Sequence, residues 1–219
     1  MDFERKEFGE FMIDRGSPKL AYDEADFEAL LKVFVDATFT EEYRAEYMPK
    51  KRAFLKEQLT QPETVVVFQG DKLVGFGGLR VVPVESNPND VYIELKSLVV
   101  SEACRGKDLA KVISEEREKT ALTKARAEGK GCILFFVTEN QAVMESASKR
   151  GYAYVPAREW FKETRPNEPA GPRDAEADEM ENVYGMKVFR NDSYSSKNAR
   201  EVGVEQKGVT TAVDSALEW

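Results

Sequence analysis

The sequence predicts an α/β protein of the α+β kind, with a central mixed β-sheet flanked by helices on both faces. Two observations indicate this fold: a glycine-containing β-hairpin follows two helical segments, and a strand–helix–strand unit occupies residues 91–137. The strands of such a unit pair in parallel, whereas those of a hairpin are antiparallel, so one sheet should contain both arrangements. Helices packed on its two faces would bury such a sheet.

The first elements precede the hairpin. We treat residues 1–20 as an N-terminal extension with an edge strand over residues 7–14. Asp23 is a suitable N-cap for the first helix. That helix is predicted because apolar residues recur at the spacing of one buried face: Phe27, Leu30, Leu31, Phe34 and Val35. A second, highly charged helix is predicted over residues 40–59.

The hairpin is predicted from a β-branched run at residues 64–68 and a Gly-Asp-Lys turn at residues 70–72. Its second strand is predicted over residues 73–82. That strand contains three glycines, Gly75, Gly77 and Gly78. Glycines inside a strand indicate that another part of the chain approaches the backbone closely.

The remaining elements alternate between strands and helices. Strands are predicted at residues 91–100, 132–137, 152–155 and 182–190, and helices at residues 106–128 and 140–150. Residues 163–181 are rich in Pro, Gly and acidic residues, which is typical of a loop insertion. The polar tail, residues 191–219, is a candidate contact for a protein partner, and a disordered terminus is the alternative.

The composition excludes several classes of function. The 219-residue chain carries a net charge of −8, which repels nucleic-acid phosphates, and it has no apolar run of membrane-spanning length. It contains no histidine and two cysteines, which excludes histidine-based hydrolase sites, the usual zinc sites and a disulfide framework. We therefore expect a cytoplasmic protein that binds no nucleic acid, membrane or metal. Any catalysis has to use carboxylate, hydroxyl, tyrosine, lysine or backbone groups.

The segment with the clearest chemical meaning joins the strand ending at Val100 to the next helix. An Arg105-Gly106 turn leads directly into that helix, so backbone N–H groups should point outward beside the positive end of the helix dipole. Phosphate groups bind at such positions, and Arg105 and Lys107 add positive charge there. An ordinary strand-to-helix turn is the alternative interpretation.

This segment resembles the GNAT superfamily of N-acetyltransferases. The family has a strand ending in Leu-x-Val, then four residues, then Arg/Gln-x-x-Gly-x-Gly/Ala at the start of a helix. This chain has Leu98-Val99-Val100, four residues, and then Arg105-Gly106-Lys107-Asp108-Leu109-Ala110. The resemblance extends over residues 21–190, which implies a GNAT-like domain with those bounds.

The resemblance implies acetyl-CoA as the co-substrate and an amine-bearing small molecule or protein as the acceptor. It implies that the backbone amides of residues 105–110 hold the pyrophosphate and that the strand edge at residues 98–100 pairs with the pantetheine. Asn140 matches a polar residue near the thioester. A backbone N–H near Val99 would stabilise the oxyanion that forms when the amine attacks directly.

Two positions depart from the family pattern. Asp108 stands where the family usually has a glycine, and its carboxylate would repel a pyrophosphate, although an acidic residue also suits the first turn of a helix. Ala147 stands where the family often has the tyrosine that protonates the departing thiolate. Ser148 and Tyr152 are the nearby candidates for this general acid, and water is the alternative.

The general base has to be a carboxylate, because the chain has no histidine. Glu94 is the first candidate, since a glutamate on this strand is a common base in the family. Strand alternation predicts that Glu94, Lys96 and Leu98 share one face. An ion pair with Lys96 is the alternative role for Glu94, and Glu139 is a second candidate base.

The sequence therefore predicts an N-acetyltransferase. One alternative is a catalytically degenerate GNAT-fold protein that serves as a structural or interaction module, because fold alone does not establish activity. Another is a regulator that binds an acyl-CoA without turning it over. Asp108, Ala147 and the polar tail are the features that favour these alternatives.

Overall fold

A computed structural model describes residues 5–38, 41–82, 84, 88–138, 141–156 and 183–189. The strands are β1 (Lys6–Phe8), β2 (Phe11–Arg15), β3 (Val65–Gln69), β4 (Lys72–Val82), β5 (Asp90–Val100), β6 (Gly131–Thr138), β7 (Ala153–Pro156) and β8 (Val183–Phe189). The helices are α1 (Glu24–Thr38), α2 (Glu41–Leu59), α3 (Leu109–Ala127) and α4 (Gln141–Lys149). The loop insertion predicted over residues 163–181 and the tail over residues 191–219 lie outside the described residues.

The chain forms two compact units. The first comprises Met1–Arg80 and Glu94–Thr123, and the second comprises Val81–Ile93 and Lys124–Trp219. Strand β5 begins in the second unit and ends in the first.

The sheet of the first unit has the order β1-β2-β3-β4-β5, and its first four strands pair antiparallel. The prediction of one edge strand over residues 7–14 is wrong, because this stretch is a hairpin of β1 and β2. Phe8 pairs with Phe11, so Gly9 and Glu10 form the whole connection. Gly9 has a φ of 58°, the left-handed conformation that such a tight turn requires.

Helices cover both faces of this sheet, as predicted. On one face, Val66 of β3 packs in a core with Phe27 and Leu31 of α1 and Leu55 of α2. On the other face, the core is formed by alternate residues of the strands and by α3: Phe11, Ile13, Val65, Val67, Val74, Leu109 and Ile113. Complete burial of one such side chain contributes about 1.5–3 kcal/mol, so both layers stabilise the sheet.

The glycines of β4 allow this close packing. A Cβ atom on Gly77 would lie 2.7 Å from Cγ2 of Ile113, and one on Gly78 would lie 2.0 Å from Nε2 of Gln58. Ile113 belongs to α3 and Gln58 to α2, so helices approach the strand from opposite faces. The close approach predicted from these glycines is confirmed.

A bulge interrupts the alternation of β5. Ser97 lies within this strand and has a φ of 51°, a left-handed conformation that marks an extra residue. Lys96 lies over the Phe54 ring of α2, whereas Leu98 packs in the core against α3. The prediction that Lys96 and Leu98 share one face is therefore wrong, because the bulge shifts the side-chain alternation by one residue.

The second unit contains the predicted closing strand. Strand β8 lies between β6 and β7 and pairs antiparallel with both. Helix α4 ends at Lys149, just before Gly151, the residue predicted to stop it, whose φ is 81°. The Gly151 and Tyr152 N–H groups donate to the Ser148 and Ala147 carbonyls. In the part of the chain that the structure describes, no helix is both long and apolar enough to cross a membrane.

Candidate functional site

The turn between β5 and α3 is held tightly against the sheet. The Ser101 N–H donates to the Val74 carbonyl of β4 at 2.8 Å, and a single 3-10 turn, Glu102–Cys104, follows. Gly106 has a φ of 78° and Asp108 has a φ of 58°. A residue with a positive φ cannot continue a right-handed helix. Helix α3 therefore begins at Leu109, after both residues, and not at residue 106 as predicted.

The start of α3 provides backbone donors for an anion. Leu109 is buried in the core, which anchors the first turn, while Gly106, Asp108 and Ala110 are exposed around it. The first intrahelical bond runs from the Val112 N–H to the Asp108 carbonyl at 3.0 Å. N–H groups that precede this bond have no acceptor inside the helix and lie at the positive end of its dipole.

Asp108 has a left-handed backbone conformation, the kind that glycine adopts most readily. Its φ of 58° lies in the left-handed region, where aspartate and asparagine are the most tolerated residues after glycine. The turn therefore keeps a glycine-like path without the glycine. What still differs from the family pattern is the charge, because the Asp108 carboxylate is exposed beside the helix N-terminus.

Both cations of this turn are already paired with acids. Arg105 lies 3.3 Å from Glu102, and Lys107 Nζ lies 2.7 Å from Glu10 Oε1 in the β1–β2 turn. The hydrogen bond from Lys107 is the main cause that lowers the pKa of Glu10, and it likewise raises the pKa of Lys107. These two acids partly offset the positive charge that Arg105 and Lys107 bring to the turn. The backbone donors therefore matter more for any anion bound here.

Glu94 lies in an ion-pair cluster on β5. Its Oε2 is 2.6 Å from Arg80 Nη2 and 3.6 Å from Lys96 Nζ. Burial lowers the pKa of Lys96, and the nearby Glu94 carboxylate only partly opposes this effect. The alternative pairing with Lys96 is thus present, and Arg80, which the sequence reasoning missed, is the closer partner. Its place on β4, the strand beside β5, is the signal that could have found it.

A buried arginine supports the bulge from behind. Arg117 of α3 is only 4% exposed, and its Nη1 donates to the Lys96 carbonyl at 2.9 Å. Gly77 makes room for it, since a Cβ there would lie 3.0 Å from Cδ of Arg117. Sequence reasoning missed this residue too, because its role depends on a bulge that the residue pattern does not show. The contact fixes the backbone directly before Leu98, Val99 and Val100.

The candidates for the general acid belong to the second unit. Tyr152 is buried, with its ring 5.3 Å from that of Phe136 in an edge-to-face contact. Ser148 is exposed on α4, and Ala147 is completely buried. Asn140 and Glu139 lie outside the described residues.

Several predicted site residues belong to the first unit of the structure. Glu94, the segment 98–100 and the turn 105–110 follow one another along a strand, a turn and the start of a helix. Their order, a strand, then a turn, then a helix, is the order of the family pattern that the sequence resembles.

Comparisons with known proteins agree with that arrangement. A model of the acetyltransferase (GNAT) family matches residues 28–152, which is more than half of the chain. The chain is similar to the solved structure of the paia N-acetyltransferase from Thermoplasma acidophilum in complex with coenzyme A. The two share 16% identity and a TM-score of 0.51, over 82% of this chain and 99% of that one.

Two further structures show the same fold. A protein of Pyrococcus horikoshii OT3 has 16% identity and a TM-score of 0.53, over 83% of this chain and 99% of its own. The N-acetylglutamate synthase of Neisseria gonorrhoeae, complexed with coenzyme A and N-acetyl-glutamate, has 16% identity and a TM-score of 0.53, over 85% of this chain and 36% of its own. No curated protein matches the chain by sequence. The family match confirms the resemblance and the GNAT-type fold: the chain belongs to the GNAT family of acetyltransferases.

Proposed function

We propose that the chain is an N-acetyltransferase that moves the acetyl group of acetyl-CoA to an amine. One observation carries the proposal: the turn before α3 keeps a glycine-like path at Asp108, with φ at 58°. A non-glycine residue in this conformation is uncommon and costs free energy, which favours a functional reason for the path. A path of this kind leaves backbone N–H groups outward at a helix N-terminus.

The coenzyme would be held mainly by backbone groups. The turn at residues 105–110 would bind the pyrophosphate. The Arg105 and Lys107 N–H groups donate to the Glu102 and Cys104 carbonyls, so the donors would be the other N–H groups of this turn, and the exposure of Gly106 and Ala110 supports this. The edge of β5 at residues 98–100 would pair with the pantetheine. Asn140 would lie near the thioester, as the family pattern implies.

The reaction would proceed by direct attack. Glu94 would accept a proton from the acceptor ammonium, directly or through water, and the free amine would attack the thioester carbonyl. A backbone N–H near Val99 would stabilise the oxyanion, and the Arg117 contact supports a fixed position for that donor. When the intermediate collapses, the C–S bond breaks, the C–N bond remains, and the thiolate takes a proton from Ser148, Tyr152 or water.

A second candidate function is a GNAT-fold module without catalysis. Two observations favour it: the exposed carboxylate of Asp108, and the absence of a side chain beyond Cβ at the buried Ala147. Such a protein would use its surface to bind a partner, and the polar tail is the candidate contact.

The proposal is tested by turnover. Purified protein is mixed with acetyl-CoA and a panel of amino acids, polyamines, aminoglycosides and peptides, and release of the free thiol is followed. We expect at least one amine to accelerate thiol release, and mass spectrometry to show that this amine has gained one acetyl group. A folded protein that binds acetyl-CoA but acetylates no amine in the panel would favour the non-catalytic module.

A further inference from the structure

Three charged side chains on β4 and β5 form a group that we call the acceptor-face cluster: Arg80, Glu94 and Lys96. Among the residues that the structure describes, the two cations share a single carboxylate, at 2.6 Å for Arg80 and 3.6 Å for Lys96. Within this described part, the cluster carries a local positive excess, although the chain as a whole has a net charge of −8. A local excess of this kind requires an explanation in an acidic protein.

Lys96 is the more constrained of the two cations. Its side chain is 20% exposed, and its ammonium lies 5.1 Å from the centre of the Phe54 ring. Burial lowers the pKa of Lys96, and the charges of Arg80 and Lys51 act in the same direction. With one carboxylate at 3.6 Å among the described residues, this largely buried ammonium is incompletely compensated, and a second anion beside it would be stabilised.

The position of the cluster matches that of an acceptor. Lys96 precedes the bulge, and Val99, where the proposed reaction places the thioester, lies three residues further along β5. A strand rises about 3.3 Å per residue, so this separation is at most ~10 Å. One small molecule that carries an amine and an anionic group fits such a distance.

From this geometry we infer that Arg80 and Lys96 bind the carboxylate of a small amino-acid acceptor, which places its amine beside Glu94. The inference rests on the proposed function, since it names the acceptor class of that same site. A guanidinium and an ammonium are the usual partners of a carboxylate. Both already contact Oε2 of Glu94, so the acceptor carboxylate would bind to their remaining N–H groups beside that oxygen, and Glu94 would receive the ammonium of the same molecule.

The test compares pairs of acceptors that differ only in the carboxylate: phenylalanine with phenethylamine, leucine with isopentylamine, and lysine with cadaverine. For at least one pair we expect kcat/KM to be about tenfold to a hundredfold higher for the amino acid, the effect of one or two charge-assisted hydrogen bonds. In Lys96→Met this ratio should fall toward one, and in Lys96→Arg it should recover in part.

Lys50→Met is the matched control, because Lys50 also lies over an aromatic ring, that of Tyr47 at 5.2 Å, and pairs with one carboxylate. We expect it to leave the ratio unchanged. Equal rates for both members of every pair, a ratio insensitive to Lys96→Met, or faster acetylation of peptide N-termini than of any free amino acid would overturn the inference.

Product binding keeps the inference testable if no amine is turned over. Calorimetry would compare the N-acetyl derivatives of the same pairs on wild type and Lys96→Met. Tighter binding of an N-acetyl amino acid than of its decarboxylated counterpart, lost in Lys96→Met, supports the inference even where acetyl transfer fails. Equal binding or no binding of all the derivatives overturns it.

Discussion

Two charged regions of the first unit differ in how their charges are balanced. In the turn before α3, each cation has its own acid: Arg105 pairs with Glu102, and Lys107 pairs with Glu10. In the acceptor-face cluster, Arg80 and Lys96 share Glu94. In the first region each cation is paired with one acid. In the second, among the described residues, two cations share one acid, so positive charge is in excess.

This difference indicates how each region would recognise an anion. A turn whose cations are already paired would bind phosphate mainly through backbone N–H groups and the helix dipole, so its conformation largely decides affinity. A cluster with excess charge binds through the side chains themselves, so their identity decides selectivity. Substitutions that change conformation alone or charge alone should therefore act on the two regions in different ways.

The largest effect is expected for Glu94→Gln, which keeps the shape of the proposed base and removes its ability to take a proton. General bases contribute about 100-fold to 10,000-fold, so kcat should fall by roughly 100-fold or more at neutral pH. Thiol release at saturating amine measures this. Glu57→Gln, which changes an exposed carboxylate of α2, is the control and should keep the wild-type rate. A Glu94→Gln enzyme within threefold of wild type would remove Glu94 from the base role.

The next largest effect is expected for Gly106→Ala, which tests conformation without adding bulk in the turn. An added Cβ there meets no atom within 4 Å, but the φ of 78° disfavours any other residue. We expect a loss of about 1–2 kcal/mol in the free energy of unfolding and a loss of about tenfold or more in coenzyme affinity.

Gly70→Ala is the matched control for that substitution. Gly70 also has open space around it and a φ of 59°, but it lies in the β3–β4 turn. It should lose similar stability in chemical denaturation while coenzyme affinity stays at the wild-type value. Equal losses of affinity in the two variants would show that the effect comes from stability and not from the turn before α3.

A smaller effect is expected for Asp108→Asn, which removes charge and keeps a side chain that tolerates the left-handed conformation. One charge at about 4 Å in water contributes ~1 kcal/mol, so coenzyme affinity should rise by about fivefold. Asp108→Gly should give at least as large a rise. If both variants weaken binding, the carboxylate takes part in a working site, for example through water.

The smallest effect is expected for Lys96→Met on stability. Burial lowers the pKa of Lys96, so the folded chain binds fewer protons than the unfolded chain between that pKa and the ordinary value of about 10.4. The free energy of unfolding of wild type should therefore rise with pH across this window, relative to the variant. At neutral pH the variant should be equal to wild type or more stable by up to ~1 kcal/mol. A clear destabilisation would indicate a structural role for Lys96.

Most of the fold could be predicted because its signals are local. The helical spacing of Phe27, Leu30 and Leu31 and the glycine at position 151 each fix an element from neighbouring residues alone. The close approach to Gly77 and Gly78 could be predicted as well, because glycine within a strand often marks a place where another part of the chain needs the space of a side chain.

The predictions that are wrong depended on contacts distant in sequence. The bulge at Ser97 puts Lys96 and Leu98 on opposite faces of the sheet, and nothing in the residue pattern of β5 indicates this bulge. The pairing of Lys107 with Glu10 joins residues far apart in the chain, so the charge of the turn could not be judged from the turn itself. For the same reason Arg80 and Arg117 became visible only when the strands and α3 were placed together.

The most direct test of the account is a calorimetric titration of the purified protein with acetyl-CoA, with desulfo-CoA as the control ligand. We predict saturable binding at one site near micromolar affinity, on the order of −8 kcal/mol, for both ligands in wild type and Gly70→Ala, and binding weaker by about tenfold or more in Gly106→Ala. Absence of binding up to millimolar coenzyme, by a protein shown to be folded, would contradict the claim that the turn before α3 is a coenzyme site.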